Sequence, residues 1–224
     1  MKPKPQLCHS CPFQPFGAGF VPSLVHPESK VYVIHEQPSK TDAMKSLPLQ
    51  DWFGEAFMEL VARPLGVPRE VFAFDHAIRC KTASGAWPDG KLLQAAKDGC
   101  RRWDSGLHQW GPTLAIPSYS IQDVRFQPTT VRLIQSAFEK AFRFVEKGER
   151  PVVICGVGAV KVYLPDLPLT QEWKKKSFLA TWQGAVFREG LWKEPKKPGE
   201  TLSCEKSTTP TNISELLEKL RKSS

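Results

Sequence analysis

The sequence has no long apolar run and no recognisable export signal. A helix that crosses a bilayer needs about 18 or more consecutive apolar residues, and no such stretch occurs. Residues 1–5 are basic and proline-rich, and no apolar segment of the kind found in secretory signals follows them. We therefore expect no membrane contact and a cytoplasmic location. Because that compartment keeps thiols reduced, the six cysteines favour metal ligands, reactive thiols or core positions over a disulfide framework.

Acidic residues are too few to balance the basic ones. The chain has 23 Asp and Glu against 31 Lys and Arg, which gives a net charge of +8 and a pI of about 9.2. Such a balance favours a polyanionic partner, with nucleic acid as the leading candidate. Basic residues cluster at Arg101-Arg102, at Lys174-Lys175-Lys176 and within residues 193–197. These clusters can neutralise phosphates, or they can simply keep a surface and a tail solvated.

Apolar runs and helical periodicity alternate along the chain. Apolar runs predict strands at 31–34, 71–78 and 151–155, and the 3.6-residue period predicts helices at 51–63 and 129–147. Asp51 is placed to cap the first helix and Pro64 to end it, while Gly148 ends the second. A short helix is expected between Gly156 and Pro165. This alternation predicts an α/β fold, a three-layer α/β/α sandwich with a central, mostly parallel sheet.

The other segments carry weaker patterns. Residues 1–29 predict a loop, and residues 105–128 predict an insertion of loops. A helix is expected over residues 88–103. Residues 178–187 predict a strand, or a hairpin that turns near Gln183-Gly184.

The composition changes near residue 193 and divides the chain into two parts. We expect one domain over residues 1–192, present as a monomer, and a flexible basic tail over residues 193–224. The tail ends in a predicted amphipathic helix, in which Asn212 and Glu215 are spaced as a capping box. That helix either folds back on the domain or docks a protein partner.

Four cysteines form a candidate metal site. Cys8 and Cys11 are a Cys-x-x-Cys pair, Cys80 follows the second predicted strand, and Cys100 lies in a predicted helix. Thiolates from three chain segments suit either a tetrahedral zinc ion or a [4Fe–4S] cluster, and their spacing does not decide between them. Four unrelated buried cysteines are the remaining alternative. The other two are interpreted as a core residue and a free thiol in the tail, Cys155 and Cys204.

One segment carries a family resemblance. Residues 71–80 read Val-Phe-Ala-Phe-Asp-His-Ala-Ile-Arg-Cys, Trp87-Pro88 follows, and residues 96–100 read Ala-Lys-Asp-Gly-Cys. With the N-terminal Cys-x-x-Cys pair, this arrangement resembles the iron–sulfur uracil-DNA glycosylases. The similarity covers residues 8–100 and resumes near residues 151–164.

The resemblance implies a fold, a cofactor and an activity. It implies a uracil-DNA glycosylase-like domain in which Cys8, Cys11, Cys80 and Cys100 hold a [4Fe–4S] cluster. It also implies DNA as the partner, and hydrolysis of the N-glycosidic bond of uracil or another altered base.

The site motifs of that family are altered in this chain. Residues 35–39 stand where the family carries Gly-Glu-x-Pro-Gly, and no late His-Pro motif is present. His35 and Ser39 replace the two glycines of that motif. Trp52 stands where the family has a phenylalanine that stacks on the base, and His76 where it has an asparagine that reads the base edge. Asp42 stands where the family has a second acidic residue.

The resemblance assigns roles to these residues. Glu36 or Asp42 would stabilise positive charge on the sugar or orient water, and His35 or His76 would stabilise the departing base as preorganised donors do. Trp52 would stack on the flipped base. The candidate base-binding residues are His35, Gln37, Trp52 and His76, and the candidate phosphate contacts are Lys174, Lys175 and Lys176.

Each of these residues also has a structural interpretation. Trp52 can be a core residue, His76 a satisfied structural histidine, Glu36 half of an ion pair, and Asp42 a turn cap. The altered glycines and the missing histidine also support a second hypothesis. Under it the chain is a catalytically degenerate DNA-binding module of the same fold, acting with a replication or repair partner. A zinc-bound nucleic-acid protein outside this superfamily is a third alternative.

Overall fold

The structure is a computed structural model, and it describes most of the first 163 residues and a few beyond them. The described residues are 18–81, 100, 107, 110, 113–121, 128–163, 178–180, 182–183 and 186–187. Within these ranges no helix is both long and apolar enough to cross a membrane.

Nine short strands lie in the described ranges. They are β1 (Ala18–Phe20), β2 (Val31–His35), β3 (Phe72–His76), β4 (Cys80–Lys81), β5 (Thr113–Ser118), β6 (Val152–Cys155), β7 (Phe178–Ala180), β8 (Trp182–Gln183) and β9 (Val186–Phe187). The main sheet has the order β3-β2-β6-β5-β7. Its first four strands are parallel, and β7 joins the edge antiparallel to β5. The predicted α/β fold with a mostly parallel sheet is therefore confirmed.

The helices occupy the connections between strands. They are α1 (Lys40–Lys45), α2 (Trp52–Phe57), a π-helical turn (Met58–Ala62), α3 (Arg63–Leu65), a 3₁₀ turn (Arg69–Val71), α4 (Pro128–Glu146) and α5 (Val157–Tyr163). The predicted helices at 129–147 and after Gly156 are confirmed. Helix α4 ends where Gly148 adopts a φ of +80° and donates its N–H to the Val145 carbonyl.

Both faces of the sheet are buried, which explains the continuous apolar runs of the strands. On one face, Val31, Val33 and Phe72 pack against α2, the π turn and α4. On the other face, Tyr32 and Ile34 pack against α5 and the connection that contains Leu107 and Trp110. The described residues of connections that lead toward β3 lie on the first face, and those of connections that lead toward β7 lie on the second. A sheet built from right-handed crossovers requires this division.

A cluster of phenylalanines joins the first helical layer to the sheet. The Phe57 ring makes edge-to-face contacts with Phe72, Phe74 and Phe138, at centroid distances of 4.9, 5.1 and 5.4 Å. Such pairs contribute about 0.5–1.5 kcal/mol each beyond the burial of their area. The cluster therefore holds α2 and α4 to β3.

The helix predicted over 51–63 runs further than expected. Asp51 caps it as predicted, since its side chain accepts the Phe53 N–H. Pro64 does not end it, however, because the helix continues to Leu65 and stops at Gly66, which adopts a φ of +65°. A proline removes one intrahelical hydrogen bond to the carbonyl four residues earlier. That carbonyl, on Leu60, instead accepts a hydrogen bond from Gln135 Nε2 at 2.9 Å.

Two predicted loops contain strands. Strand β5 lies in the middle of the predicted insertion over 105–128, where Pro117 obscures the strand pattern. The proline is tolerated because the pairing of β5 with β7 stops at Ala115, two residues earlier. Strand β1 lies within the predicted loop over 1–29 and pairs antiparallel with β4, where Phe20 is opposite Cys80. Both pairings are non-local, so neither leaves a strong local pattern.

Other predictions are confirmed or lie outside the described residues. Of the two alternatives for residues 178–187, the hairpin is supported, since Gln183 of β8 pairs antiparallel with Val186 of β9. The division into a domain over 1–192 and a tail over 193–224 stays a prediction, because the tail lies outside the described residues, as does nearly all of the helix expected over 88–103. Cys8, Cys11, Lys174, Lys175 and Lys176 also lie outside them.

A buried ion pair lies at the end of β3. Asp75 and Arg79 are fully buried, and the guanidinium donates to both carboxylate oxygens through Nε, at 2.8 Å, and Nη2. The carboxylate also accepts the Tyr32 hydroxyl at 2.9 Å and the His76 backbone N–H at 2.7 Å. Four hydrogen bonds therefore hold the Asp75 carboxylate in the interior.

We predict that Arg79→Met destabilises the fold strongly. Removing one partner of a buried ion pair leaves an uncompensated charge, which costs about 3–5 kcal/mol. The matched control is Arg63→Met, because Arg63 pairs with Glu59 at the surface, where such pairs contribute about 0–1 kcal/mol. Urea unfolding of both variants measures the difference, and equal losses of unfolding free energy would contradict the importance of the buried pair.

Candidate functional site at the carboxyl ends of the parallel strands

Polar side chains converge where the parallel strands end. His35 ends β2 and His76 ends β3, and the two are register partners in the sheet. Glu36 and Gln37 follow directly after β2. The carboxyl ends of parallel strands are where open α/β sheets bind ligands. The strand register therefore brings together residues that are about 40 positions apart in the sequence.

A cleft opens at this edge of the sheet. It contains about 320 Å³ of empty space, which includes its opening to solvent. The lining residues are His35, Glu36, Gln37, Asp42, Leu49, Phe53, His76, Ser120 and Ile121. The structure thus brings five of the predicted site residues to one cleft, and adds four that the sequence did not single out.

The buried Asp42 carboxylate stabilises the loop beside the cleft. Asp42 forms a capping box with Ser39 at the start of α1, and Oδ2 accepts the Ser39 N–H at 3.0 Å. Oδ1 accepts the Gln50 N–H at 2.6 Å. The same Oδ2 lies 3.8 Å from Nε2 of His76. Asp42 therefore takes part in a capping interaction, as one interpretation predicted, and it also places a carboxylate beside an imidazole.

The two histidines lie together in the interior. Their ring centroids are 6.4 Å apart, and the residues are 7% and 1% exposed. Burial, and secondarily the charge of His76, lowers the pKa of His35 to about 3. Burial likewise lowers the pKa of His76 to about 4, although the charge of Asp42 opposes this shift. Both imidazoles are therefore neutral near neutral pH.

One nitrogen of each ring has no hydrogen-bond partner in the structure. These atoms are Nε2 of His35 and Nδ1 of His76, and both are shielded from solvent. Buried polar atoms are normally paired. In His76, protein atoms therefore do not satisfy Nδ1.

Glu36 is held against the turn between β6 and α5. Its Oε1 accepts the Gly158 N–H at 2.7 Å, and its backbone carbonyl accepts the Ile78 N–H at 2.9 Å. The contact joins two segments 122 residues apart. The carboxylate is therefore fixed at the wall of the cleft.

The aromatic residue that lines the cleft is Phe53, and Trp52 is not among the lining residues. Trp52 is 37% exposed and makes an edge-to-face contact with Phe53, at a centroid distance of 5.1 Å. Trp52 is therefore not the core residue that one interpretation predicted. The rotation of α2 about its own axis decides which of these two adjacent rings faces the cleft. A single sequence does not reveal that rotation.

The described cysteines occupy three different settings. Cys80 is buried on β4, Cys100 is partly buried, and Cys155 is buried in β6. Burial, and secondarily the charge of Glu36, raises the pKa of the Cys155 thiol, which confirms its interpretation as a core residue. Among the described residues, no group of three or more His, Cys, Asp and Glu side chains is arranged to hold a metal ion. Two of the four predicted ligands lie outside those residues.

The chain was compared with family models and with curated proteins. No family model matches it, and no curated protein matches it. The resemblance to the iron–sulfur uracil-DNA glycosylases therefore depends on the residues and motifs described above.

The buried histidines predict a pH-dependent stability. The pKa of each is lowered on folding from 6.5 to about 3 or about 4, so at about pH 5 the unfolded chain binds protons that the folded chain does not. Stability should therefore fall between about pH 7.5 and pH 5, by about 2 kcal/mol for each histidine.

Urea unfolding at these two pH values measures the effect. His35→Asn and His76→Asn should each reduce the difference by about half, and the double variant should remove most of it. A full wild-type difference in the double variant would show that other groups cause it.

Proposed function

We propose that this chain is a DNA glycosylase of the uracil-DNA glycosylase type, which hydrolyses the N-glycosidic bond of uracil or another altered base. One observation carries the proposal. Two carboxylates and two neutral imidazoles, from Glu36, Asp42, His35 and His76, lie at one cleft at the carboxyl ends of β2 and β3. Cleavage of this bond places positive charge on the sugar and negative charge on the departing base, and the cleft supplies groups suited to both charges.

Glu36 is the carboxylate proposed to act at the sugar. Its hydrogen bond with Gly158 fixes the side chain at the cleft wall, and a fixed carboxylate stabilises developing positive charge without reorganisation. Asp42 is assigned a supporting role, because two backbone N–H groups occupy its oxygens. Its Oδ2 lies 3.8 Å from Nε2 of His76, so its charge stands beside that ring.

The imidazoles are proposed to act at the base. A neutral imidazole carries one N–H donor and one acceptor, and a neutral donor can stabilise an anionic leaving group without a prior ionisation step. Phe53 at the cleft, with Trp52 in contact outside it, supplies aromatic surface for an extruded base. Because the two unpaired nitrogens are shielded from solvent, base entry requires the cleft to widen.

The proposed cofactor is a [4Fe–4S] cluster on Cys8, Cys11, Cys80 and Cys100, with zinc as the alternative. The pairing of β1 with β4 supports it, because the N-terminal segment enters the sheet opposite Cys80. Cys11 precedes β1 by only seven residues. A fully extended chain of seven residues spans at most about 25 Å, so Cys11 lies within that distance of β1. The cluster would supply folding energy by joining the N-terminal segment to the Cys80 region.

Individual cysteine variants should separate ligands from core residues. Cys80→Ala and Cys100→Ala should lose the iron and the brown colour of anaerobically purified protein, because each removes a thiolate ligand. Cys155→Ala is the control, since its thiol is buried with a raised pKa, and it should keep both. Visible spectra together with iron, sulfide and zinc analyses decide the result. Colourless wild-type protein that contains zinc would replace the cluster with a zinc site.

The glycosylase activity should depend on Glu36 and His76. Wild-type protein should create abasic sites in uracil-containing single- or double-stranded oligonucleotides, and alkali would reveal these sites as strand breaks. Glu36→Gln and His76→Ala should each lower kcat by about 100-fold or more, the usual effect of losing a group that acts on the transition state. Glu146→Gln, a change at an exposed position at the end of α4, should leave kcat unchanged. Equal activity in all variants would contradict the assigned roles.

A catalytically degenerate DNA-binding module is the second candidate function. The observation that favours it is that Asp42 and Glu36 already accept backbone N–H groups. Under this candidate, Lys174, Lys175 and Lys176 would contact phosphates, and the C-terminal helix would dock a replication or repair protein. Wild-type protein that binds the same oligonucleotides but cleaves none of them would support this candidate.

A further inference from the structure

Glu36 and Gly156 lie beside each other at the ends of neighbouring strands. Ile34 of β2 is the register partner of Ile154 of β6. Extending this parallel register by two residues places Glu36 next to Gly156. The Glu36 side chain also reaches Gly158, two residues after Gly156, where Oε1 accepts the Gly158 N–H at 2.7 Å.

The contact requires a residue without a Cβ at position 156. A Cβ built on Gly156 would lie 2.6 Å from Oε1, 2.7 Å from Cδ and 2.9 Å from Cγ of Glu36. Since Cγ lies near the base of the side chain, moving the carboxylate tip does not relieve this contact. Gly156 also has a φ of +96°, a conformation that residues with a side chain rarely adopt.

We propose that Gly156 is a positioning residue for the Glu36 carboxylate. Because Gly156 has no side chain, there is room beside it for the Glu36 carboxylate. The Gly158 N–H holds the carboxylate in this position. This proposal rests on the proposed function, in which Glu36 acts at the cleft. A carboxylate held by both contacts is preorganised, and this lowers the cost of aligning it with a reacting bond.

Gly148 provides a matched control for the backbone conformation. It has a φ of +80°, and a Cβ built on it would meet nothing within 4 Å. Gly148→Ala therefore carries the strain of a positive φ without a contact. Any additional effect of Gly156→Ala reports the contact with Glu36.

A double-mutant cycle of stability tests the contact between Gly156 and Glu36 without reference to activity. Gly156→Ala should lower the urea midpoint further than Gly148→Ala does. In a Glu36→Ala background this excess should disappear, because the side chain that meets the new Cβ is gone. An excess of the same size in both backgrounds would overturn the proposal.

Hydrogen exchange gives a second measurement if Gly156→Ala does not fold. The Gly158 amide should exchange about tenfold or more faster in Glu36→Ala than in wild type, because it loses its acceptor. The Gly54 amide, which donates to the Asp51 carbonyl, serves as the internal reference. Unchanged exchange at Gly158 would overturn the proposal.

Kinetics distinguish a positioning role from a structural one. On an oligonucleotide that wild-type protein cleaves, Gly156→Ala should lower kcat by about tenfold or more and change KM by less than about twofold. In a Glu36→Gln background the same change should cause little further loss, because the carboxylate it displaces is already absent. Equal losses in both backgrounds would overturn the proposal. If wild-type protein cleaves no oligonucleotide, the result would instead count against the proposed glycosylase function. The double-mutant cycle of stability would still test the contact between Gly156 and Glu36.

Discussion

The candidate site depends on the buried ion pair between Asp75 and Arg79. Ion pairs this deep rarely add net stability, because desolvation offsets their attraction. This one fixes geometry, since the same carboxylate accepts the backbone N–H of His76 and the hydroxyl of Tyr32. The pair therefore orients the end of β3, where His76 enters the cleft, and the start of β4, where Cys80 lies one residue after Arg79.

Local signals in the sequence predicted the parts of the fold that local interactions determine. The apolar runs of β2 and β6 and the periodic face of α4 depend on burial alone, and the structure confirms them. Predictions were wrong where a distant residue changes the local outcome. Pro64 does not end its helix because Gln135 satisfies the carbonyl that it leaves unpaired. Strand β5 was predicted as a loop because its order comes from pairing with β6.

The candidate site was predictable in its residues but not in its arrangement. Polar residues directly after two apolar runs are visible in the sequence, and the structure brings them to one cleft. Their mutual positions require the strand order, which places His35 beside His76 and β2 beside β6. Whether Phe53 or Trp52 lines the cleft depends on the rotation of α2 about its axis. The contact between Glu36 and Gly156 depends on the register of strands far apart in the chain.

The free-energy cost of burying polar groups at the cleft is an independent argument for its importance. Burying an imidazole nitrogen without a partner costs about 1–3 kcal/mol, and neither His35 Nε2 nor His76 Nδ1 has a protein partner. Apolar residues at these positions would fill the same space without that cost. Asp42 adds a buried carboxylate, the N3 residue of the capping box that Ser39 begins. Buried titratable side chains gathered at one cleft are more common at functional sites than elsewhere, which supports the choice of this cleft as the candidate site.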